Sequence, residues 1–224
     1  MDGTGDSAVG DARIAYRPAI EAVVAAGVAE DDILSIAVFT TQDPTEIGFA
    51  LRDYVDAAPP PMGITWEPGS GARGVLEVVG TYGPVPIFQD GEIPYAMTGG
   101  AIDLDASGAP VVHGTYEARF SITFPQGATM PAGGFPLVLY SHGTGGNYRS
   151  YIADGTATRL AAEGYAVMGI DQIHHGARNP TTLSPELLFF NLQNPNAVRY
   201  NTLESAIDII AQARFAENAV VPTS

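Results

Sequence analysis

Cysteine and lysine are both missing from this chain of 224 residues. Without cysteine there are no disulfides and no thiolate metal sites, and the redox compartment is left open. Without lysine every basic side chain is an arginine, and the 10 of them face 25 acidic residues for a formal charge of −15. A surface that acidic repels phosphate backbones, which argues against a nucleic-acid partner. No apolar run reaches the roughly 18 residues of a membrane-spanning helix. The opening Met-Asp-Gly-Thr-Gly-Asp-Ser has neither the basic region nor the apolar core of a signal peptide. The pattern G-x-S-x-G is also absent.

What is present is a chain with enough apolar residues, 46%, to bury a real core. Its organising stretch is residues 135–171, FPLVLYSHGTGGNYRSYIADGTATRLAAEGYAVMGID. Residues 135–140 form an uncharged apolar run, the signature of a strand buried on both faces. The glycine-rich turn Ser141-His142-Gly143-Thr144-Gly145-Gly146 follows. Residues 150–163 suit a helix, with Gly164 as its left-handed stop. Residues 165–170 read as a second buried strand with Asp171 at its carboxyl end. Two parallel strands joined by a helix make a βαβ unit, whose sites lie beyond the carboxyl ends of the strands. His142, the glycines, Asp171, His174 and His175 all fall there.

Y-S-H-G-T-G-G after one strand and Y-A-V-M-G-I-D-x-x-H-H-G-x-R after the next resemble the α/β-hydrolase family. The resemblance is nearest to the secreted esterases and lipases that include the platelet-activating-factor acetylhydrolases and similar bacterial hydrolases. It covers about residues 116–215. It implies a serine carboxylester hydrolase in which the H-G-x-G turn gives one backbone N–H to the oxyanion hole. By the family pattern that donor is Thr144, with Gly143 and Gly145 opening the turn and His142 shaping the loop. The resemblance also implies a secreted, periplasmic or cell-envelope location, an ester of small-molecule, lipid or polyester type as substrate, and no cofactor or metal. In the family the nucleophile, acid and base come later than this loop. The expectation is therefore an N-terminal portion of such an enzyme, inactive alone, completed by a missing C-terminal portion or a second chain.

Around this centre the chain divides into three. Residues 1–57 are a helix–strand–helix segment, with 1–11 unstructured, a helix over 16–26 that has Pro18 in its first turn, and a strand over 33–40. Asp43-Pro44-Thr45-Glu46 resembles a capping box ahead of a second helix. V-F-T-T-Q-D-P-T-E resembles the segment that closes an accessory domain ahead of the catalytic domain in large bacterial lipases. Residues 58–63, with Pro59-Pro60-Pro61, are a stiff linker. Residues 64–224 are the N-terminal portion of the hydrolase domain, with short strands at 74–81, 85–88, 101–104, 111–113 and 116–124. Within the last of these, Thr115, Glu117 and Arg119 alternate with Tyr116, Ala118 and Phe120, as in a half-exposed antiparallel strand. The fold class is α/β: a partial α/β-hydrolase sheet, a β-meander then a parallel βαβ, behind a small α+β or β-rich N-terminal region.

Several residues carry two readings. Tyr148 and Tyr151 either wall an acyl pocket or pack against the loop. Residues 172–196, including Phe189 and Phe190, either cover the site as a lid or plug the core. His174 either lines the substrate site or joins His142, His175 and Asp171 in a metal cluster that no H-x-x-x-H spacing supports. Ser141 reads as structural, and Asp171 as the cap of the next turn or the partner of Arg178. Residues 199–215 form a helix that Asn201 can cap, with Glu204 three residues on. The competing function is a non-catalytic accessory or pseudoenzyme module that binds a partner or polymer.

Overall fold

The computed structural model describes residues 7–39 and 45–220. The chain forms two compact units, residues 1–44 and residues 45–224.

In the first unit, helix α1 spans Ser7–Ala25, with Pro18 inside it rather than in its first turn. Residues 7–11 are thus helical, not unstructured, and residues 1–6 lie outside the described residues. The helix closes as expected at Gly27, whose φ of +101° only glycine adopts freely. The Gly27 and Val28 amides donate back to Val24 and Val23 carbonyls. A short 3₁₀ turn follows at Glu30–Asp32. The β-branched run at 33–39 is not a strand, because no neighbouring strand pairs with it; Thr40 to Pro44 lie outside the described residues.

The second unit is built on a five-stranded sheet, β1 (Met62–Pro68), β2 (Val75–Ile87), β3 (Gly114–Pro125), β4 (Leu137–Tyr140) and β5 (Ala166–Ile170). Its order is β1-β2-β3-β5-β4. The first three strands form an antiparallel meander, β3 pairs antiparallel with β5, and β4 pairs parallel with β5. The meander and the parallel βαβ unit of the sequence reading are both present, and the class is α/β. The strand details differ. The two segments predicted at 74–81 and 85–88 are one strand, β2, with an irregularity between Tyr82 and Val85. Residues 101–104 and 111–113 form no strand; Ile102 and Leu104 make only isolated bridges. β4, expected to be interior, is half-buried at the end of the sheet, whereas β5 is buried along its whole length.

Side-chain alternation directs the two faces of the sheet. Phe120 and Ile122 of β3, Met168 and Ile170 of β5 and Tyr82 of β2 share one core with Ile207, Ala211 and Phe215 of helix α6 (Pro195–Asn218). Tyr82 and Phe215 stack at 4.3 Å and Trp66 meets Phe120 edge-on at 5.2 Å. Leu51 and Val55 of helix α2 (Glu46–Ala57), which precedes the proline run, lie in that same core. Arg214 of α6 fastens the α2 terminus by donating to the carbonyl oxygens of Val55 and Ala58. The opposite face holds Val75, Val167 and Tyr151 against Ala157 and Ala161. The single helix predicted at 150–163 is two, α3 (Ser150–Ala153) and α4 (Thr156–Ala162). Gly155, at φ +81°, breaks it, and Gly164 at φ +82° ends it. Helix α6 starts at Pro195 under an Asn194 cap, so Asn201 is inside it and fully buried rather than capping it. A short helix α5 (Pro185–Phe189) lies in the connection before it. Among the described residues no helix is long and apolar enough to cross a membrane.

Candidate functional site

The carboxyl ends of β4 and β5 each release a loop, and the two loops are tied together. Gly143 to Gly146 closes a β-turn, with the Gly146 amide donating to the Gly143 carbonyl at 3.0 Å. Gly145 takes the third position at φ +83°, the conformation that a type II turn demands there. Its amide donates to Nε2 of His175 at 3.0 Å, while His175 Nδ1 bonds the Ile173 carbonyl at 2.7 Å. His142 does the converse. Its Nδ1 bonds the Gly143 carbonyl at 2.9 Å and its Nε2 accepts the Gln172 amide at 3.2 Å. Both nitrogens of each ring are therefore engaged. Burial, the largest influence, holds the His142 imidazole below its usual range.

Asp171 is the third tie. One carboxylate oxygen accepts the Tyr148 amide at 3.0 Å. The other accepts the Ala177 amide at 3.1 Å and the Arg119 guanidinium at 2.7–2.8 Å. Asp171 thus caps the following turn as predicted, but its ionic partner is Arg119, not Arg178. Arg119 also lies over the Tyr148 ring at 4.0 Å. Ser141 accepts a hydrogen bond from the Gln172 amide side chain at 2.6 Å.

Thr144 is exposed at the crest of the turn, and its N–H has no acceptor among the described residues. Gly143 beside it is exposed, and a Cβ there would meet nothing within 4 Å. The other predicted site residues separate. Tyr148 is half-buried on the rim. Tyr151 is fully buried on the other face of the sheet, its hydroxyl 2.8 Å from Ser121, so it packs and walls no open pocket. His174 is also fully buried, at φ +61°, with Nε2 bonded to Asn201 at 3.2 Å. Burial pushes it down to about 4, and it presents nothing to a substrate. Phe189 packs edge-on to His175 and belongs to a small core with Tyr95, Ile173 and Ala197. Among the described residues no three His, Asp or Glu side chains form a metal-ligand group.

Besides Arg119–Asp171, sequence reasoning missed two further ion pairs. Glu77 of β2 accepts Arg149 at 2.7 Å on each oxygen, and also the Ser121 hydroxyl and the Gly71 amide. Asp208 of α6 takes Arg178 and the Tyr116 hydroxyl. Nothing local flags either pair, since the partners lie far apart in sequence.

No protein-family description matches the chain, and no curated protein matches it. Among solved structures it is similar to a cold-adapted esterase from an Arctic intertidal metagenomic library, at 19% identity and a TM-score of 0.33 over 67% of this chain and 51% of that one. It is also similar to a putative acetyl xylan esterase from Bacteroides fragilis, at 16% and 0.39 over 77% and 45%. The acetyl xylan esterase of Paenibacillus sp. R4 gives 14% and 0.40 over 79% and 49%. The chain therefore spans about half the length of each of these proteins.

Proposed function

We propose that this chain carries the oxyanion-binding half of a serine carboxylester hydrolase of esterase or lipase type. The observation that supports it is the state of the Gly143–Gly146 turn. Its neighbours on both loops are fixed by hydrogen bonds, while Thr144 is exposed and its N–H has no acceptor among the described residues. A donor of that kind, preorganised and aimed at the oxygen on which charge develops, lowers an acyl-transfer barrier by roughly 3 kcal/mol. In the reaction a serine hydroxyl from outside these 224 residues adds to the ester carbonyl. Its proton passes to a base supplied with it, and the carbonyl oxygen becomes the anion that Thr144 receives. The C–O bond to the alcohol then breaks as the base returns its proton to the departing oxygen, and water adds to the acyl-enzyme, breaks the acyl–serine bond and frees the acid and the serine hydroxyl. The substrate class is an ester, of a small molecule, a lipid or a polyester, and the location is the periplasm, the cell envelope or the outside of the cell.

The test has two arms. This chain alone should not turn over p-nitrophenyl esters, and labelling of one of its serines by a fluorophosphonate probe would refute the external nucleophile. Coding sequence after Ser224 should contain G-x-S-x-G, and the joined polypeptide should be active. In it Thr144→Pro removes the N–H while keeping a residue that suits the second position of a type II turn. It should lose about 100- to 1000-fold in kcat with KM little changed. An unchanged kcat refutes the assignment.

A further inference from the structure

Helix α6 buries two carboxylates one turn apart, and among the described residues one cation, Arg178, reaches them. Glu204 and Asp208 are each 1% exposed, and residues four apart share a helix face. Asp208 binds Arg178 directly and accepts the Tyr116 hydroxyl at 2.9 Å. The other guanidinium nitrogen of Arg178, Nη2, is buried and meets no acceptor, so Arg178 is committed to Asp208. Glu204 receives two backbone amides, that of Phe88 at 3.3 Å from each oxygen and that of Gln89, and no cation binds it directly. An ionised carboxylate with two backbone amides but no cation of its own to offset its lost hydration is unfavourable in an interior. Two acids thus face one base, an arrangement that favours keeping a proton on the pair.

The groups around this proton come from two loops. His174, Arg178 and Phe189 sit on residues 172–191, and Phe88, Gln89, Asp90 and Tyr95 on residues 88–101. Asn201 draws both loops onto α6, receiving Gln89 at 3.0 Å and His174 at 3.2 Å and donating to the Leu188 and Phe189 carbonyls. Asn191 joins the loops to each other through the Tyr95 and Ala96 carbonyls, and Asn194, the cap of α6, holds the Tyr95 and Gly99 carbonyls.

We propose that residues 88–101 and 172–191 form a cover on helix α6, held closed by one proton shared between Glu204 and Asp208 and released when that proton is lost. Around the pair, Tyr82 of β2 and Tyr116 of β3 are phenols held neutral by burial, and Tyr95 is pushed up to about 12 for the same reason. His174 is uncharged above about 4. Asp90 adds negative potential from the loop, and Arg178 is the positive charge of the cluster. Burial, then the charge of Asp208, push Glu204 up to about 8, and burial also raises Asp208 against the pull of Arg178. The sign follows. The closed form keeps a proton that an opened, hydrated Glu204 gives up at ordinary carboxylate pH. Closing therefore weakens about tenfold per pH unit until Glu204 itself ionises, and is flat beyond. The inference is independent of the ester reading, because it needs no substrate.

Amide hydrogen exchange of this chain, corrected for base-catalysed chemical exchange, reads the cover directly. Peptides from 88–101 and 172–191 should lose about tenfold or more of their protection between about pH 6.5 and 9.5, while peptides from β3 and β5 keep theirs. In Glu204→Gln, which cannot ionise, the pH dependence should vanish. Flat protection in the parent chain, equal losses in β3 and β5, or a Glu204→Gln profile that follows the parent would each overturn the proposal. Carboxyl-carbon NMR of the unsubstituted chain gives a second reading that needs no variant. One buried carboxyl still protonated at about pH 6.5 supports the shared proton, and two ionised ones exclude it.

Discussion

Asp171→Asn should be among the more damaging single substitutions on the rim of the sheet. The carboxylate, whose side chain is 1% exposed, accepts the Tyr148 and Ala177 amides and the Arg119 guanidinium. Asparagine keeps one acceptor oxygen, replaces the other with a donor that faces N–H groups, and removes the charge. Hydrogen bonds to a charged acceptor are worth about 1.5–3 kcal/mol each, and at least one amide would be left unpaired. Arg119 is 37% exposed on its side-chain surface, so its freed charge can hydrate and the ion pair itself adds only about 1 kcal/mol. The expected loss is about 3–4 kcal/mol, a large fraction of the roughly 5–15 kcal/mol that holds a domain folded. At about 2–4 °C per kcal/mol for a chain of this size, Tm should fall by roughly 6–16 °C. Urea titration followed by tryptophan fluorescence measures it, since the one tryptophan, Trp66, sits 5.2 Å from Phe120 in the core. Arg119→Ala is the control and should cost only about 1 kcal/mol. A loss under about 1 kcal/mol in Asp171→Asn, or equal losses in the two variants, would refute the claim that the amides carry the effect.

Further expectations concern the glycines and the acid range. Gly145→Ala meets a positive φ, and the neighbouring Glu186 side chain can swing away, so the cost should be about 1 kcal/mol by thermal melt. Gly143→Ala has open space and should be within about 0.5 kcal/mol of the parent. In Gly169→Ala, on buried β5, the new methyl would lie 2.6 Å from the Tyr148 carbonyl oxygen and 3.1 Å from the Tyr151 ring. It should cost about 1–3 kcal/mol and loosen the glycine loop in hydrogen exchange. Burial acts to raise Glu77, but hydrogen bonds from Arg149, Ser121 and Gly71 outweigh it and hold the carboxyl below its usual range. Its contribution is therefore complete above the ordinary carboxylate value and lost as pH falls through the depressed one. Acid unfolding should be shallower in Glu77→Gln, and an unchanged acid limb would sink this account.

The parts of the fold legible in the sequence were those written in local pattern. Two apolar runs separated by Gly164 gave β4, β5 and the parallel link, and the alternation from Thr115 to Phe120 gave the first half of β3. Strand β1 was not legible because it is mostly exposed and its residues do not alternate; its first two residues, Met62 and Gly63, fell in the predicted linker and no strand was predicted over the rest. The run at 33–39 has strand composition without a partner, a tertiary fact that propensity cannot supply. Asn201 and Glu204 had the spacing of a helix start, yet both serve the interior of a longer helix whose cap is Asn194. At the site, the glycine turn was legible because φ near +80° at Gly145 requires its residue type. The Arg119–Asp171 and Arg149–Glu77 pairs join residues 52 and 72 positions apart, so their meeting depends on strand order.

That last pairing has a genetic consequence. Arg149 leaves the glycine loop after β4 and grips Glu77 in β2, three places away in the sheet, so the loop's stiffness is encoded partly in a region that has no chemistry of its own. A saturation screen would mark Glu77 and the tight Gly69 beside it as intolerant, and a reader scoring only the turn would take them for unrelated folding defects.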